Sequence, residues 1–332
     1  MRRGYLVIDN HVHFWDASRE NANDLGERWI KCFHAYHTSL TPTAEYEWDL
    51  DFFRKPEPDW YRRTLFDESG VDMAILQPTY LYGFFKHGFN TVEQNAAMAK
   101  SAPDRFILNG RVDPRDGSKA IEELHRQKEE YGIKGLKLYT AEWWNGIPHG
   151  WRADDDMAMR VYAECVKLGI KNIHFHKGPG IDPLTLDGFD VGDVDAVAIA
   201  FPELNIIVDH VGLPKLDKFC WIAVKQPNVY AGLSVAVAFA GKRKRFFAEI
   251  MANLLAWLGE DRILFGSDFN IWHPVWEIDA IIDFEMPEDL ARDYGVSVTE
   301  TTKRKILAEN AAKLYGIDLE TLRTTPPQPL VA

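Results

Sequence analysis

Short β-rich apolar runs alternate with longer amphipathic stretches along this chain, and no other feature limits its fold as tightly. The runs lie at residues 6–14, 73–78, 106–112, 135–139, 172–176, 205–210, 229–234 and 263–268. Between them fall helical patterns at 92–101, 118–131, 156–168, 191–200 and 246–258. Strands buried under helices on one face and packed inside a barrel on the other read as apolar runs. The alternation therefore predicts an α/β fold, a distorted (β/α)8 TIM barrel of parallel strands. A doubly wound open sheet is the competing arrangement. No Gly-x-Gly-x-x-Gly turn follows the first run, which disfavours its nucleotide-binding form.

Two stretches exceed ordinary loop length. Residues 16–58, rich in Trp, Tyr, Phe and His, follow the first strand and are expected to form a long inserted loop acting as a lid. Residues 143–151 follow the fourth strand. Loops after barrel strands gather at the catalytic end, so both stretches are candidate pocket walls. The 332 residues are expected to form one domain, with 318–332 as a C-terminal tail; Thr324-Thr325-Pro326-Pro327-Gln328-Pro329 reads as an irregular terminus or packing arm.

Composition excludes several classes. A net charge of −12 argues against nucleic acid as a partner, and the short basic run Lys242-Arg243-Lys244-Arg245 reads as a solvated helix start. No uncharged apolar stretch reaches the roughly 18 residues of a membrane span. The start, Met1-Arg2-Arg3-Gly4-Tyr5, lacks a signal peptide's apolar region. Three scattered cysteines suggest no disulfide framework and a cytoplasmic setting.

Chemistry concentrates at the strand ends. His11 and His13 are two apart on the first strand and share a face, which suits a chelating pair for zinc, manganese or iron. His174 and His176 repeat the pattern on the fifth strand, His210 ends the sixth, and Asp268 ends the eighth. Of 11 histidines, these five fall near three predicted strand ends, where a barrel brings side chains together.

The set His11-x-His13, His176-x-Gly178, His210-x-Gly212 and Gly266-Ser267-Asp268 resembles the amidohydrolase superfamily. It is most similar to the amidohydrolase-2 branch, which includes aminocarboxymuconate-semialdehyde decarboxylase and related aromatic-acid decarboxylases. Residues 306–316 look like that branch's final helix. The resemblance implies that His11, His13, His176 and Asp268 bind a divalent metal (zinc, manganese or iron), and that His210 is a catalytic or second-metal residue. His174 is open to three roles: a core histidine, a partner of the ligands, or an extra ligand. Lys137, carboxylated in some members, and Glu142 are options for bridging a second ion.

On this reading Asp268 and His210 are the catalytic pair in a hydrolase or non-oxidative decarboxylase, which acts on a small carboxylated or aromatic substrate through an activated water or chelated substrate. A dinuclear iron or manganese–iron monooxygenase component is the alternative, and a catalytically silent accessory subunit the second. Candidate substrate contacts are Trp15, Tyr80, Arg111, Trp143, Trp144 and His273, with Trp272 as a further wall. His34, His37 and His87 are expected in solvent-exposed parts of loops. A homo-oligomer, or a hetero-oligomer with a related subunit, is expected from the family.

Overall fold

Strands follow one another around a barrel in chain order: β1 Ile8–Val12, β2 Met73–Leu76, β3 Phe106–Gly110, β4 Gly135–Tyr139, β5 Asn172–His176, β6 Asn205–Asp209, β7 Val229–Gly232 and β8 Ile263–Leu264. The computed structural model describes residues 1–148 and 150–324. Every neighbouring pair is parallel. The barrel nearly closes where β8 returns to β1, through Asn10 N–H to Phe265 C=O (3.1 Å) and Asp268 N–H to His11 C=O (3.0 Å).

Register sets what faces inward. Lys137, His174 and Ile207 stand side by side across β4, β5 and β6, and Tyr139, His176 and Asp209 form the next layer. The alternate residues, Leu136, Leu138, Ile173, Phe175, Ile206 and Val208, join the core beneath the surrounding helices. Helix Asp156–Lys167 shows how the helices answer this, burying Ala158, Val161, Tyr162 and Cys165 at helical spacing. Below the site, Ile8, Ile75, Ile207 and Leu264 pack on Ala308, Ala311 and Ala312 of the closing helical segment.

All eight predicted strands form, and β4 and β5 have the predicted bounds. The last is shorter than 263–268. Its ladder stops at Leu264 because the chain turns away to place Asp268 at a φ of 57°. Residues 16–58, expected as a long inserted loop, are largely helical. They contain the helix Asp24–Leu40 and two short ones, Leu50–Arg54 and Pro58–Arg62 at its end. The Asn23 side chain caps the long helix, accepting from the N–H groups of Leu25 and Gly26 at 3.0 Å each.

His37, expected in solvent, is buried and ties this helix to the loop after β8, donating through Nδ1 to the Ile271 carbonyl at 2.7 Å. Of the expected tail, Leu319–Thr324 is helical, and 325–332 lies outside the described residues. Among the described residues no helix is long and apolar enough to cross a membrane.

Candidate metal centre

The site begins with an extra residue in β1. Pairing with β2 passes from Asp9↔Ala74 to Val12↔Leu76, so the first strand carries a bulge. A bulge re-aims the side chains beyond it. Ile8 stays in the interior cluster, Val12 joins the outer core, and His11 and His13 meet inside the barrel.

Hydrogen bonds fix the form of both imidazoles. His13 Nδ1 lies 2.6 Å from the Gln77 carbonyl, which can only accept, so this nitrogen carries the proton. His11 Nδ1 lies 3.2 Å from Asp209 Oδ1 and donates to it. Both Nε2 atoms are then bare lone pairs, yet they stand 3.0 Å apart. Asp268 Oδ1 is 3.2 Å from His13 Nε2 and 3.6 Å from His11 Nε2.

Burial and the nearby Lys137 push His11 down to about 3, so protonation does not relieve this crowding near neutrality. Burial alone would raise the Asp268 carboxyl, but His11, His13 and His210 more than offset it and hold the group below the usual range. Three unprotonated donors this close repel one another unless a cation lies between them. Ligand bonds of about 2.0–2.2 Å in tetrahedral geometry imply edges of about 3.3–3.6 Å. The donor set fits a divalent transition metal.

The turn that presents Asp268 is clamped from β1. Ser267 donates its N–H to Asp9 Oδ1 (3.0 Å) and its hydroxyl to Asp9 Oδ2 (2.5 Å). Gly266 is required by proximity, since a Cβ there would lie 2.8 Å from His11 Cβ. Gly178 has the same explanation, because its Cβ would fall 2.5–2.7 Å from the His210 side chain. His210 and Asp268 both have positive φ, 63° and 57°. Left-handed backbone costs a non-glycine residue about 1–2 kcal/mol, and such outliers gather at functional sites.

His176 stands beside the triad rather than in it. His210 Nδ1 donates to the Ser234 carbonyl (3.0 Å), so its Nε2 accepts from His176 Nδ1 at 2.8 Å. His176 Nε2 is left buried with no partner in the protein, an orphaned lone pair suited to a ligand role. Burial keeps His176 and His210 neutral, with pKa values below the ordinary histidine range.

Beneath the triad lies a polar layer in which the sequence singles out His174 and Lys137 but not Asp209 or Tyr315. Asp209 Oδ1 accepts from His11 and from His174 Nδ1 (3.1 Å), and its Oδ2 pairs with Lys137. His174 Nε2 accepts from the Tyr315 hydroxyl at 2.8 Å, so His174 bridges Tyr315 and Asp209. Lys137 Nζ is also 3.5 Å from His11 Nε2. Asp209 follows Ile207 by two on the inward face, and that spacing was its only signal in the sequence.

Several expected site residues are placed elsewhere. Glu142 pairs with Arg111 and Arg115, and it lines a second cleft with Tyr80, Trp143 and Trp144. That cleft shares no lining residue with the cavity above the triad. The structure therefore does not bring Glu142, Arg111, Tyr80, Trp143 or Trp144 to the metal centre. Arg111 pairs with Glu142. Trp15 lies behind the cavity, donating to the Phe53 carbonyl (2.8 Å) and stacking on Phe89. His273 caps helix Pro274–Ile282 and faces Glu68.

The cavity above the triad is walled instead by Trp29, Phe33 and Tyr36 of helix Asp24–Leu40, by Phe89, and by Ile271 and Trp272. His13, His176, His210 and Asp268 line it too.

The amidohydrolase family model matches residues 8–317. No curated protein matches the chain. Among solved structures, an uncharacterised TIM-barrel protein from Bordetella bronchiseptica is 18% identical at a TM-score of 0.66, covering 94% of this chain and 98% of its own. The 2,6-dihydroxybenzoate decarboxylase from Rhizobium is 16% identical at 0.62, covering 95% and 99%. The 5-carboxyvanillate decarboxylase from Novosphingobium aromaticivorans, solved with manganese, is 17% identical at 0.55, covering 95% and 97%. At these identities the structures speak for a shared barrel. The family match spans nearly the whole chain, which belongs to the amidohydrolase family.

Proposed function

We propose that the protein is a mononuclear metalloenzyme, a non-oxidative decarboxylase or hydrolase, acting on a small aromatic carboxylate or related ring compound. The observation that carries this reading is the convergence of His11 Nε2, His13 Nε2 and Asp268 Oδ1, unprotonated, beneath a cavity walled by aromatic rings. His11, His13, His176 and Asp268 would hold the ion. When bound, it supplies Lewis acidity for activating a water or gripping a substrate carboxylate.

Asp268 is the proton carrier. In decarboxylation Asp268 would relay one proton from water to the ring carbon as the carbon–carbon bond breaks and carbon dioxide leaves, so that it ends as the carboxylate it began as. In hydrolysis the same carboxylate accepts a proton from the attacking water and passes it to the leaving group. His210 lines the cavity 3.6 Å from Asp268 through Nδ1; with its one proton given to the Ser234 carbonyl and its Nε2 accepting from His176, it would hold His176 so that the His176 Nε2 faces the ion. Two structural neighbours, decarboxylases of dihydroxybenzoate and carboxyvanillate, support the aromatic-acid reading.

Lys137 favours a single ion over a dinuclear centre. The donors His11, His174 and Asp209 form a second close group, but Asp209 already pairs with the lysine ammonium there. Protein reconstituted with manganese or zinc, then screened for carbon dioxide release from hydroxybenzoates and for ester, lactone and amide hydrolysis, tests the reading. Turnover lost in Asp268→Asn supports it; a metal-loaded protein inert in both screens counts against it.

A further inference from the structure

Besides Trp29 Nε1, four polar atoms on side chains lining the cavity above the triad are buried with no partner in the protein: Thr79 Oγ1, Tyr139 Oη, Trp272 Nε1 and His176 Nε2. His176 Nε2 has the ligand role argued above. The other three side chains belong to residues exposed by 3% (Thr79), 3% (Tyr139) and 1% (Trp272). Interiors rarely tolerate such orphans, because a buried donor that gives up water without replacing its hydrogen bond destabilises the fold. Tyr36, on the same wall, follows the ordinary pattern and donates its hydroxyl to the Gly180 carbonyl at 2.7 Å. Other buried polar atoms without a protein partner, such as Tyr61 Oη and Trp276 Nε1, lie elsewhere in the fold; those on the lining side chains are the ones a ligand in this cavity would satisfy.

Their chemistry narrows the ligand. An indole N–H can only donate, and both hydroxyls can donate. The matching group is an oxygen acceptor. No lysine or arginine lines this cavity among the described residues. A carboxylate carried away from the metal would be buried there without a counter-charge, which is strongly disfavoured. The rings of Trp29, Phe33 and Phe89 offer apolar faces to a planar body.

We infer that Thr79, Tyr139 and Trp272 are substrate-anchoring residues that donate hydrogen bonds to uncharged oxygen substituents of a ring substrate bearing a single carboxylate. The inference rests on the decarboxylase or hydrolase reading and adds its specificity. The three donors select hydroxyl, ether or carbonyl oxygens, and the missing cation selects against dicarboxylates.

The test is calorimetric binding of two probes to metal-loaded protein: 2,6-dihydroxybenzoate, with one carboxylate, and 2-hydroxybenzene-1,3-dicarboxylate, with two. The variants are Thr79→Val, Tyr139→Phe and Trp272→Phe. The monocarboxylate is expected to bind at least about tenfold tighter than the dicarboxylate. Each variant should weaken monocarboxylate binding about fivefold to tenfold, the range of one lost neutral hydrogen bond. Metal per chain should stay at the wild-type value, and the thermal midpoint should be unchanged or raised, because an unpaired donor has been removed.

A lowered midpoint with unchanged binding would show that the three groups support the fold and would overturn the inference. So would equal or tighter dicarboxylate binding, or a metal-loaded wild type that binds neither probe. Wild-type binding and turnover with unaffected variants sinks the inference alone, whereas a wild type that takes up no metal sinks the proposed function itself.

Discussion

Replacing Asp209 by Asn removes one charge from the centre of the barrel while keeping the side chain's shape. Asp209 is fully buried, accepts from His11 and His174 at 3.2 and 3.1 Å, and pairs with the equally buried Lys137. Two separable losses follow. The first is the ammonium of Lys137, stranded without a counterion; breaking such a buried pair from one side costs about 3–5 kcal/mol. The second is the hold on His11 Nδ1, which keeps Nε2 free to ligate. Loss of a partner of this kind lowers metal affinity about 10–100-fold, or roughly 1.4–2.7 kcal/mol.

Urea unfolding of chelator-treated protein measures the first loss, and competition with a chromogenic chelator measures the second. Lys137→Met combined with Asp209→Asn separates them. It should recover most of the stability, since neither charge remains, but none of the metal affinity. Burial raises the Asp209 carboxyl, yet Lys137, His11 and His174 more than offset this and hold it well below its ordinary value. Its stabilisation is therefore complete above the unfolded value near pH 4, and it is lost only as pH falls through the lower folded one. Measurements at pH 7 capture the full effect. Metal affinity within twofold of wild type in Asp209→Asn would refute the proposed link between Asp209 and His11.

Other outcomes follow from the same geometry. Gly178→Ala places a Cβ 2.5–2.7 Å from the His210 side chain and should cut kcat/KM at least about 100-fold with the circular dichroism spectrum preserved; activity within threefold of wild type would contradict the packing. Buried His11, His37, His174, His176 and His210 all have lowered pKa values, chiefly from desolvation, with His11 at about 3 and His37 at about 4. The unfolded chain takes up protons on these groups below about pH 6.5 while the fold does not, so each removes up to about 1.4 kcal/mol per pH unit as pH falls. Metal-free protein should unfold cooperatively between pH 6.5 and 4 by fluorescence, and a midpoint below pH 4 would be inconsistent with neutral buried imidazoles. Phe33→Ala enlarges the aromatic wall above the triad and should raise KM for a ring substrate several-fold without changing metal content; steady-state kinetics beside elemental analysis checks both.

The barrel was legible because short β-rich runs alternate with stretches that repeat their buried positions at helical spacing. β4 and β5 could be bounded to the residue, since Gly132 and Gly169 punctuate the chain before them. Helix Asp24–Leu40 was missed among dense aromatics, although Asn23 as a cap, acidic Asp24 and Glu27, and buried Trp29, Ile30, His37 and Leu40 at helical spacing were available signals.

The His and Asp cluster was readable from strand-end positions. Which aromatic groups face it was not, because Trp143 and Trp144 follow a strand end as Trp272 does. Their loop turns toward Arg115, whose guanidinium lies 4.8 Å over the Trp144 ring. Asp209 and Tyr315 were hidden for another reason. One sits beside a more conspicuous histidine, and the other reaches the interior from the closing helix, across 141 residues of sequence from His174.

Elemental analysis of the purified protein, with metal counted per chain, bears most directly on the centre at His11, His13 and Asp268. The account predicts close to one divalent transition-metal ion per wild-type chain and close to none in folded His11→Ala. A wild type that takes up no such ion after reconstitution, or a His11→Ala variant that retains the full complement, would contradict it.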